Sequence, residues 1–166
     1  DTDDPVIHAV VQTYIDRVVN EGKRVIAVLG EPTSVDLNTR FANASAFNDP
    51  AIVYVANGFK GSDGVIREGY KAAARVAGMI ASANITDSLT RAVVKGATEI
   101  VGALTSAELD KAVKAGALVF IMNSKKQVCI IYGIHTFIIP TAEFYAFWSK
   151  IRLVRTRYNL IDRIPS

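Results

Sequence analysis

The apolar positions near the start of the chain follow the three- and four-residue spacing of one helix face. Asp4 followed by Pro5 is typical of an N-cap and first helical position. Gly22 is suited to end this helix, because glycine adopts the left-handed backbone that closes many helices. The pattern predicts a helix with one broad apolar stripe, formed by Val6, Ile7, Val10, Val11, Tyr14, Ile15, Val18 and Val19.

Two short runs with continuous apolar centres follow, at residues 23–30 and 51–56. Such runs are typical of strands that are covered on both faces. Residues 31–50 between them are weakly patterned and predict a loop with a short helix near 39–47. Residues 57–64 (NGFKGSDG) contain three glycines, available for positive φ, and predict a turn or hairpin.

The second half of the chain continues the alternation of helix and strand. Residues 67–82 predict a helix rich in small side chains, which allow close packing on a sheet. Gly78 costs about 1 kcal/mol against Ala inside a helix, so we expect close packing there to compensate. Thr105 and Glu108 have the spacing of a capping box at the start of the next helix.

Residues 117–122 and 128–132 predict an antiparallel strand pair, and Gly116 is suited to end the helix before them. Alternating strands and helices are typical of α/β domains. The sequence therefore predicts an α/β fold, a three-layer sandwich with a mixed, mostly parallel sheet. At 166 residues the chain is expected to form a single domain over residues 1–166.

Composition and charge are those of an ordinary folded protein, with 50% apolar and 21% charged residues. The whole net charge of +3 lies in residues 141–166, which hold five basic and two acidic residues. We interpret this basic end as a local contact surface rather than a surface that coats nucleic acid. The single cysteine, Cys129, lies in an apolar run, which predicts a buried thiol in a reducing compartment.

No apolar run approaches the length of a membrane-spanning helix, and the start of the chain does not resemble a signal peptide. The chain begins DTDDP, without an initiator Met. We therefore expect it to be a piece of a longer protein.

Candidate catalytic residues are sparse. His8 and His135 each lack a second histidine at the spacing of a metal-binding pair. Ser62 or Ser88 could serve a hydrolase with Asp36, but the chain has no G-x-S-x-G elbow and no histidine between Asp36 and either serine. The glycine-rich turn matches neither the P-loop nor the dinucleotide fingerprint. We expect no enzymatic activity, no catalytic, cofactor-binding or metal-binding residues, and no cofactor.

The basic end contains Lys150, Arg152, Arg155 and Arg157. Binding of nucleic acid is one possible use, but no known reader motif surrounds these residues. A solvated strand face or a contact with protein is favoured, because the net charge of the chain is small.

Six segments of the chain, taken in their order along the sequence, resemble segments of one protein family. They are NEGKRVIAVLG (20–30), VANGFKGSDG (55–64), KAAARVAGMIASANITDSLTRAVVKGA (71–97), LTSAELDKAVKAGALVFI (104–121), QVCIIYGIHT (127–136) and FWSKIRLVRTRYNLIDRI (147–164). Together they resemble the tail sheath proteins of contractile-tailed bacteriophages and related contractile injection systems. The chain departs from the family pattern at His135, where Asn is usual, and in its short hairpin at residues 57–66.

The resemblance implies a subtilisin-like sheath-type domain without protease activity, best matched over residues 17–140, with residues 141–166 leading to a further region. It implies a structural subunit that polymerises helically around a tail tube and contracts to drive the tube through the host envelope. Neighbouring copies, the tail tube protein, and baseplate and tail terminator components are the implied partners, with neither membrane nor nucleic acid. The implied location is the virion, after assembly in the host bacterial cytoplasm.

In this context Lys150, Arg152, Arg155 and Arg157 are expected to contact a neighbouring subunit or the tube.

Two alternatives remain. One is a small-molecule-binding or enzymatic α/β domain with its site at the carboxyl ends of the strands. The other is a nucleic-acid-binding module that uses the basic end.

Overall fold

The computed structural model describes residues 4–23, 25–84 and 87–138. In chain order the elements within these residues are α1 (Pro5–Asn20), β1 (Ala27–Gly30), α2 (Leu37–Phe47), β2 (Ile52–Val55), β3 (Gly58–Gly61), β4 (Ile66–Arg67), α3 (Gly69–Ser82), β5 (Ala97–Val101), α4 (Ser106–Lys114), β6 (Ala117–Leu118), β7 (Phe120–Met122) and β8 (Val128–Ile130).

The helix boundaries follow from local capping chemistry. The Asp4 carboxylate accepts a hydrogen bond from the Val6 N–H at 2.8 Å, and Gly22 follows α1 with a φ of 78°. Both predictions for α1 are confirmed. The short helix predicted near 39–47 is also present, but it begins earlier, at Leu37, because Asp36 caps the second and third helical N–H groups. The capping box at the start of α4 is complete.

A parallel sheet with the strand order β1-β2-β6 lies between two helical layers. The side chains of β2 alternate between the two layers. Val53 and Val55 pack in the cluster that contains α3, whereas Ile52 and Tyr54 pack in the cluster that contains α1, α2 and α4. All four are buried, so the continuous apolar run follows from burial on both faces. The predicted three-layer α/β fold is confirmed.

The antiparallel strands form ladders of their own beside the parallel sheet. β3 pairs with β4 and β5, and β7 pairs with β8. The predicted antiparallel pair is therefore present, but the run at residues 117–122 divides into two strands. Its first part, β6, pairs with β2 in parallel, and only its second part, β7, pairs with β8.

Close approach of the backbone explains two glycines where the end of β1 meets the start of α3. A Cβ on Gly69 would lie 2.5 Å from the Glu31 carbonyl oxygen, and a Cβ on Gly30 would lie 2.5 Å from the Gly69 carbonyl carbon. The expectation of close packing at Gly78 is wrong, since a Cβ there would meet nothing within 4 Å. α3 directs other residues at the sheet and leaves Gly78 on its exposed face. In the turn at residues 57–64, only Gly64 has a positive φ.

Cys129 is buried in β8, as predicted, and burial raises the pKa of its thiol. None of the helices in the described part of the chain is long and apolar enough to cross a membrane.

Candidate assembly surfaces

The four basic residues predicted to make contacts, Lys150, Arg152, Arg155 and Arg157, lie outside the described residues. Their role stays a prediction. The described residues offer three other places where function could reside: the carboxyl ends of the parallel strands, the outer face of α1 and a groove beside α3.

A buried polar cluster occupies the carboxyl ends of the parallel strands. Glu31 is only 1% exposed and accepts a hydrogen bond from Asn43 Nδ2 at 2.8 Å. Arg40 donates to the Val35 carbonyl at 3.0 Å and to the Ala56 carbonyl. Burial lowers the pKa of Arg40, while nearby Tyr54 and Glu31 act in the opposite direction. The cluster joins the end of β1 to α2 and to the end of β2.

The Tyr54 hydroxyl completes this cluster. Burial is the largest cause that raises the pKa of Tyr54, and the nearby Glu31 carboxylate is the next. The raised pKa keeps the phenol protonated. The phenol oxygen and Glu31 Oε2 are buried, yet neither makes a hydrogen bond of standard geometry within the described residues.

The polar cluster is closed to ligands. Open α/β sheets bind ligands beyond the carboxyl ends of their strands, at the position that Glu31 occupies here. In this chain the first turn of α3 covers that position, because Gly69 packs directly on the Glu31 backbone. The cluster therefore joins strands and helices rather than forming an open site, which disfavours a ligand-binding function there.

Asp36 and Ser88, two of the residues considered for hydrolase chemistry, have local structural roles. The Asp36 carboxylate caps α2, and Ser88 Oγ accepts a hydrogen bond from the Thr90 N–H at 3.2 Å. His8 is buried, with its ring centroid 6.4 Å from that of Phe47. Among the described residues, no three His, Cys, Asp or Glu side chains are grouped closely enough to hold a metal ion.

The outer face of α1 is apolar and exposed. The broad stripe predicted for this helix divides in two, because a helix on a sheet buries only one side. Ile15 and Val18 are buried with His8, while the adjoining side of the helix presents large apolar side chains to solvent. We call this adjoining side the α1 outer stripe; it consists of Val6 (69% exposed), Ile7 (44%), Val10 (62%) and Tyr14 (51%). Arg17 lies over the Tyr14 ring, 5.4 Å from its centroid.

A groove of about 760 Å³ runs beside α3, between this helix, strands β3 and β4, and residues 93–96, which precede β5. We call it the α3 groove. Its lining includes uncharged residues, namely Phe59, Ala74, Gly78, Met79 and Val93. It also includes the basic residues Arg67, Lys71, Arg75 and Lys95. Gly78 leaves space on the helix side of the groove, since nothing lies within 4 Å of its Cβ position.

The α3 groove has an excess of positive charge. Arg67 forms an ion pair with Asp63 at 2.6 Å, and its hydrogen bonds lower the pKa of that carboxyl. Lys71, Arg75 and Lys95 have no carboxylate within ion-pair distance in the described part of the chain. The groove therefore combines apolar surface with three positive charges that no carboxylate among the described residues neutralises.

Sequence reasoning missed both surfaces. The excessive breadth of the predicted stripe was the available signal for the first surface, because one helix face cannot bury eight large residues. Gly78 in a helix interior was the signal for the second, because a glycine on the exposed face of a helix leaves open space there.

Comparison with known proteins agrees with the fold. The family model of the phage tail sheath protein central domain matches residues 1–136. A sheath tail protein of Desulfitobacterium hafniense has a similar structure, with a TM-score of 0.82 and 27% identity, over 98% of this chain and 37% of that one. A sheath tail protein of Listeria innocua has a TM-score of 0.79 and 21% identity, over 96% of this chain and 34% of that one, and supports the fold alone.

This chain thus spans little more than a third of the length of these solved sheath proteins. No curated protein matches it significantly. Because the family model covers most of the described residues, the chain belongs to the phage tail sheath protein family and carries its central domain.

Proposed function

We propose that this chain is the core of a structural subunit that polymerises helically around a tail tube, and that contraction of the assembled sheath drives the tube through the host envelope. The observation that carries this proposal is the match of the sheath central domain over residues 1–136. The closed polar cluster is consistent with it, since Glu31 and Arg40 are committed to internal contacts.

The proposed partners are neighbouring copies, the tail tube protein, and baseplate and tail terminator components. Helical arrays arise when head-to-tail contacts do not close into a ring. We propose that terminal arms add strands to neighbouring sheets and so link the rigid domains. The proposed location is the virion, with assembly in the host bacterial cytoplasm.

Residues 1–166 are proposed to form one sheath-core domain, with a best-matched core over 17–140. Residues 141–166 form the basic segment that leads to the rest of the subunit. Within it, Lys150, Arg152, Arg155 and Arg157 are proposed to contact another subunit or the tube.

The subunit is proposed to have no catalytic activity. The sheath family is structural, and Asp36, Ser88 and His8 have the local roles described above. Treatment with a fluorophosphonate that labels activated serines tests this point. We expect no labelling, and stoichiometric labelling of one serine would contradict the proposal.

Electron microscopy of the full-length protein tests the assembly function. We expect hollow sleeves with a regular helical lattice, together with sheathed tails that shorten when they are triggered. A protein that remains monomeric in the presence of purified tail tubes and baseplates would overturn the proposal.

A further inference from the structure

We propose that the outer edge of β1 receives one further strand, which runs parallel to β1 and leads into α1. The partner is therefore an extended, apolar segment of the same polypeptide, placed before α1 in the full-length protein. This inference goes beyond the assembly function, because it concerns the sheet within a single subunit. It rests on the unpaired backbone of β1, on two apolar surfaces beside that strand, and on the connection from α1 to β1.

The outer edge of β1 has no ladder partner among the described residues. β1 ends the parallel sheet and pairs only with β2 there. The Ala27 N–H donates to the Ala51 carbonyl at 2.8 Å and so faces β2. Because the backbone groups of successive residues in a strand point to opposite edges, the N–H and the carbonyl of Val28 point away from β2. An edge of this kind is a template for pairing with another strand.

The sequence of this edge lacks the features by which proteins protect a free edge. Such edges are commonly protected by charged side chains or proline. Residues 25–30 (VIAVLG) contain neither. Ala27 and Val28 are only half-buried, whereas every residue of the central strand β2 is buried. The composition of β1 is therefore that of a strand covered on all sides, although its outer edge is open within the described residues.

A pocket opens beside this edge, on the face of the sheet that α3 covers. It has a volume of about 170 Å³ and is lined by Val28 of β1 and by Tyr70, Ala73, Ala74 and Ala77 of α3. A cavity of about 150 Å³ is large enough to bind benzene, so the pocket has room for one large apolar side chain. The small residues of α3 leave this space, and a side chain of the added strand fills it.

The α1 outer stripe lies beside the same edge, on the other face of the sheet. α1 packs on β1, and the Gln12 side chain donates to the Phe47 carbonyl at 3.2 Å, so the Gln12 side of α1 faces α2. Val10 and Tyr14 are each two residues from Gln12, which places them about 160° from it around the helix axis. α2 lies over the sheet towards β6. The stripe therefore faces away from α2 and overhangs the outer edge of β1.

The position of the added strand follows from the handedness of α/β connections. α1 and α2 pack on the same face of the sheet, and connections between parallel strands are nearly always right-handed. α2 joins β1 to β2. A connection of the same hand through α1 therefore starts on the side of β1 that is opposite to β2, which is the outer edge.

The start of α1 lies at the end of the sheet that this connection requires. Residues 21–26 separate α1 from β1, so the last turn of α1 lies near the amino end of β1. Asp16 lies near Asp49, which precedes β2; burial raises the pKa of the Asp49 carboxyl, and Asp16 adds to this effect. Asp4, at the other end of α1, therefore lies towards the carboxyl ends of the strands, where a strand parallel to β1 ends.

The surroundings of the edge define the chemistry of the added strand. A strand in this position lies about 4.8 Å from β1 and directs alternate side chains to the two faces of the sheet. On one face these side chains enter the alanine-lined pocket, and on the other they pack under the α1 outer stripe. Both surfaces are apolar, so the partner is a continuous apolar run rather than an alternating one. Such packing accounts for the large apolar side chains that α1 leaves exposed in the described structure.

Amide hydrogen exchange, resolved to single residues, tests the added strand. In the 166-residue chain the Val28 N–H should exchange rapidly, while the Leu29 N–H, which faces β2, should exchange slowly. In the unassembled full-length protein we expect the Val28 N–H to exchange at least about 100-fold more slowly than in the 166-residue chain, because opening a paired strand costs more than opening a free edge. Leu29 is the internal control, since its partner is present in both chains.

Two deletions identify the source of the strand. Removal of everything before Asp1 from the full-length protein should restore rapid exchange at Val28. Removal of everything after Ser166 is the matched control and should leave the exchange at Val28 slow.

A substitution in the pocket tests the side-chain packing. Ala77→Trp fills the pocket, so in the full-length protein it should speed exchange at Val28 at least about tenfold, because overpacking costs more than 1.4 kcal/mol. Ala81→Trp is the control, since Ala81 is exposed on the same helix and lies outside the pocket lining. In the 166-residue chain both variants should unfold at the urea concentration of the wild type, because the pocket is open there.

Three results would overturn the proposal. The first is rapid exchange at Val28 in the full-length protein. The second is exchange at Val28 as slow as at Leu29 in the 166-residue chain, or strong destabilisation of that chain by Ala77→Trp alone, since residues 1–166 then cover the edge themselves. The third is slow exchange that remains after removal of the part before Asp1, or that begins only when the sheath assembles, since the partner then comes from elsewhere. All of these measurements use the unassembled subunit apart from the last, so the assembly function stands or fails separately by electron microscopy.

Discussion

Thr136 and Asp49, 87 residues apart in the sequence, exchange two hydrogen bonds. Thr136 Oγ1 donates to the Asp49 carbonyl at 2.9 Å and accepts from the Asp49 N–H at 3.1 Å. The Thr136 N–H also donates to the Ile52 carbonyl at 2.9 Å. The end of the GIHT segment therefore fastens the later chain to the entrance of the central strand β2.

Replacing Thr136 with Val tests the contribution of this clamp to stability. Thr136 is fully buried, and loss of its hydroxyl leaves the N–H and the carbonyl of the half-buried Asp49 without their partner. We expect the free energy of unfolding to fall by about 2 kcal/mol in urea denaturation. Thr98→Val is the control, because the Thr98 hydroxyl bonds the Lys60 carbonyl at an exposed site and should contribute less than about 0.5 kcal/mol. Equal effects of the two substitutions would contradict the prediction.

Stability should fall in mild acid because of His135. Burial lowers the pKa of His135 to about 4, whereas an unfolded histidine titrates near pH 6.5. Between these values the unfolded chain binds more protons, so the stabilising effect of the neutral ring is complete above pH 6.5 and is lost as pH falls. We expect a loss on the order of 2 kcal/mol from pH 7 to pH 5.

The control for this prediction is His135→Asn, which replaces the titrating ring with an amide that does not titrate. It should reduce the loss of unfolding free energy between pH 7 and pH 5, measured by urea titration at each pH. An unchanged pH dependence would show that other groups cause the acid sensitivity.

Asn57 should be one of the most sensitive positions in the domain. Its side chain accepts a hydrogen bond from the Phe120 N–H at 2.8 Å and donates to the Phe120 carbonyl at 3.0 Å, as a neighbouring strand would. It also donates to the Gly102 carbonyl at 3.3 Å. Asn57→Leu should lower the free energy of unfolding by about 3 kcal/mol or more, because buried backbone groups lose their partners. The exposed substitution Asn38→Ala should change it by less than about 0.5 kcal/mol.

Gly78→Ala should stabilise the domain and Gly69→Ala should destabilise it. A Cβ at Gly78 meets open space, so Ala should raise the unfolding free energy by roughly 0.5–1 kcal/mol and the melting temperature by about 1–4 °C. A Cβ at Gly69 would lie 2.5 Å from a backbone oxygen, which forces the start of α3 away from β1. Calorimetry of both variants measures the difference, and stabilisation by both would contradict the packing described here.

Reversal of charge in the basic segment tests the predicted contact residues. Arg155→Glu combined with Arg157→Glu should leave the melting temperature nearly unchanged, because residues whose contacts are made with another subunit add less than about 0.5 kcal/mol each to the stability of their own domain. Sheath assembly by the full-length protein, or its attachment to the tube, should be impaired through like-charge repulsion. A large loss of thermal stability would instead indicate pairing within the subunit, and normal assembly would remove the proposed role.

The sequence by itself determined the features that depend on neighbouring residues. Asp4 before Pro5, the capping box of Thr105 and Glu108, and the apolar run of β2 each specify their local structure through groups a few residues apart. The order of strands and helices was enough to predict an α/β sandwich, because alternating elements have few ways to bury their apolar faces.

Only the tertiary structure decided which side of each helix faces out. The apolar residues of α1 surround much of the helix, and contact with the sheet selects Ile15 and Val18 for burial while Val10 stays exposed. The same selection leaves Gly78 outside and places Gly69 against the Glu31 backbone. Partners 63 and 87 residues apart, as for Asn57 and Thr136, cannot be identified from spacing alone, because the folded chain brings them together.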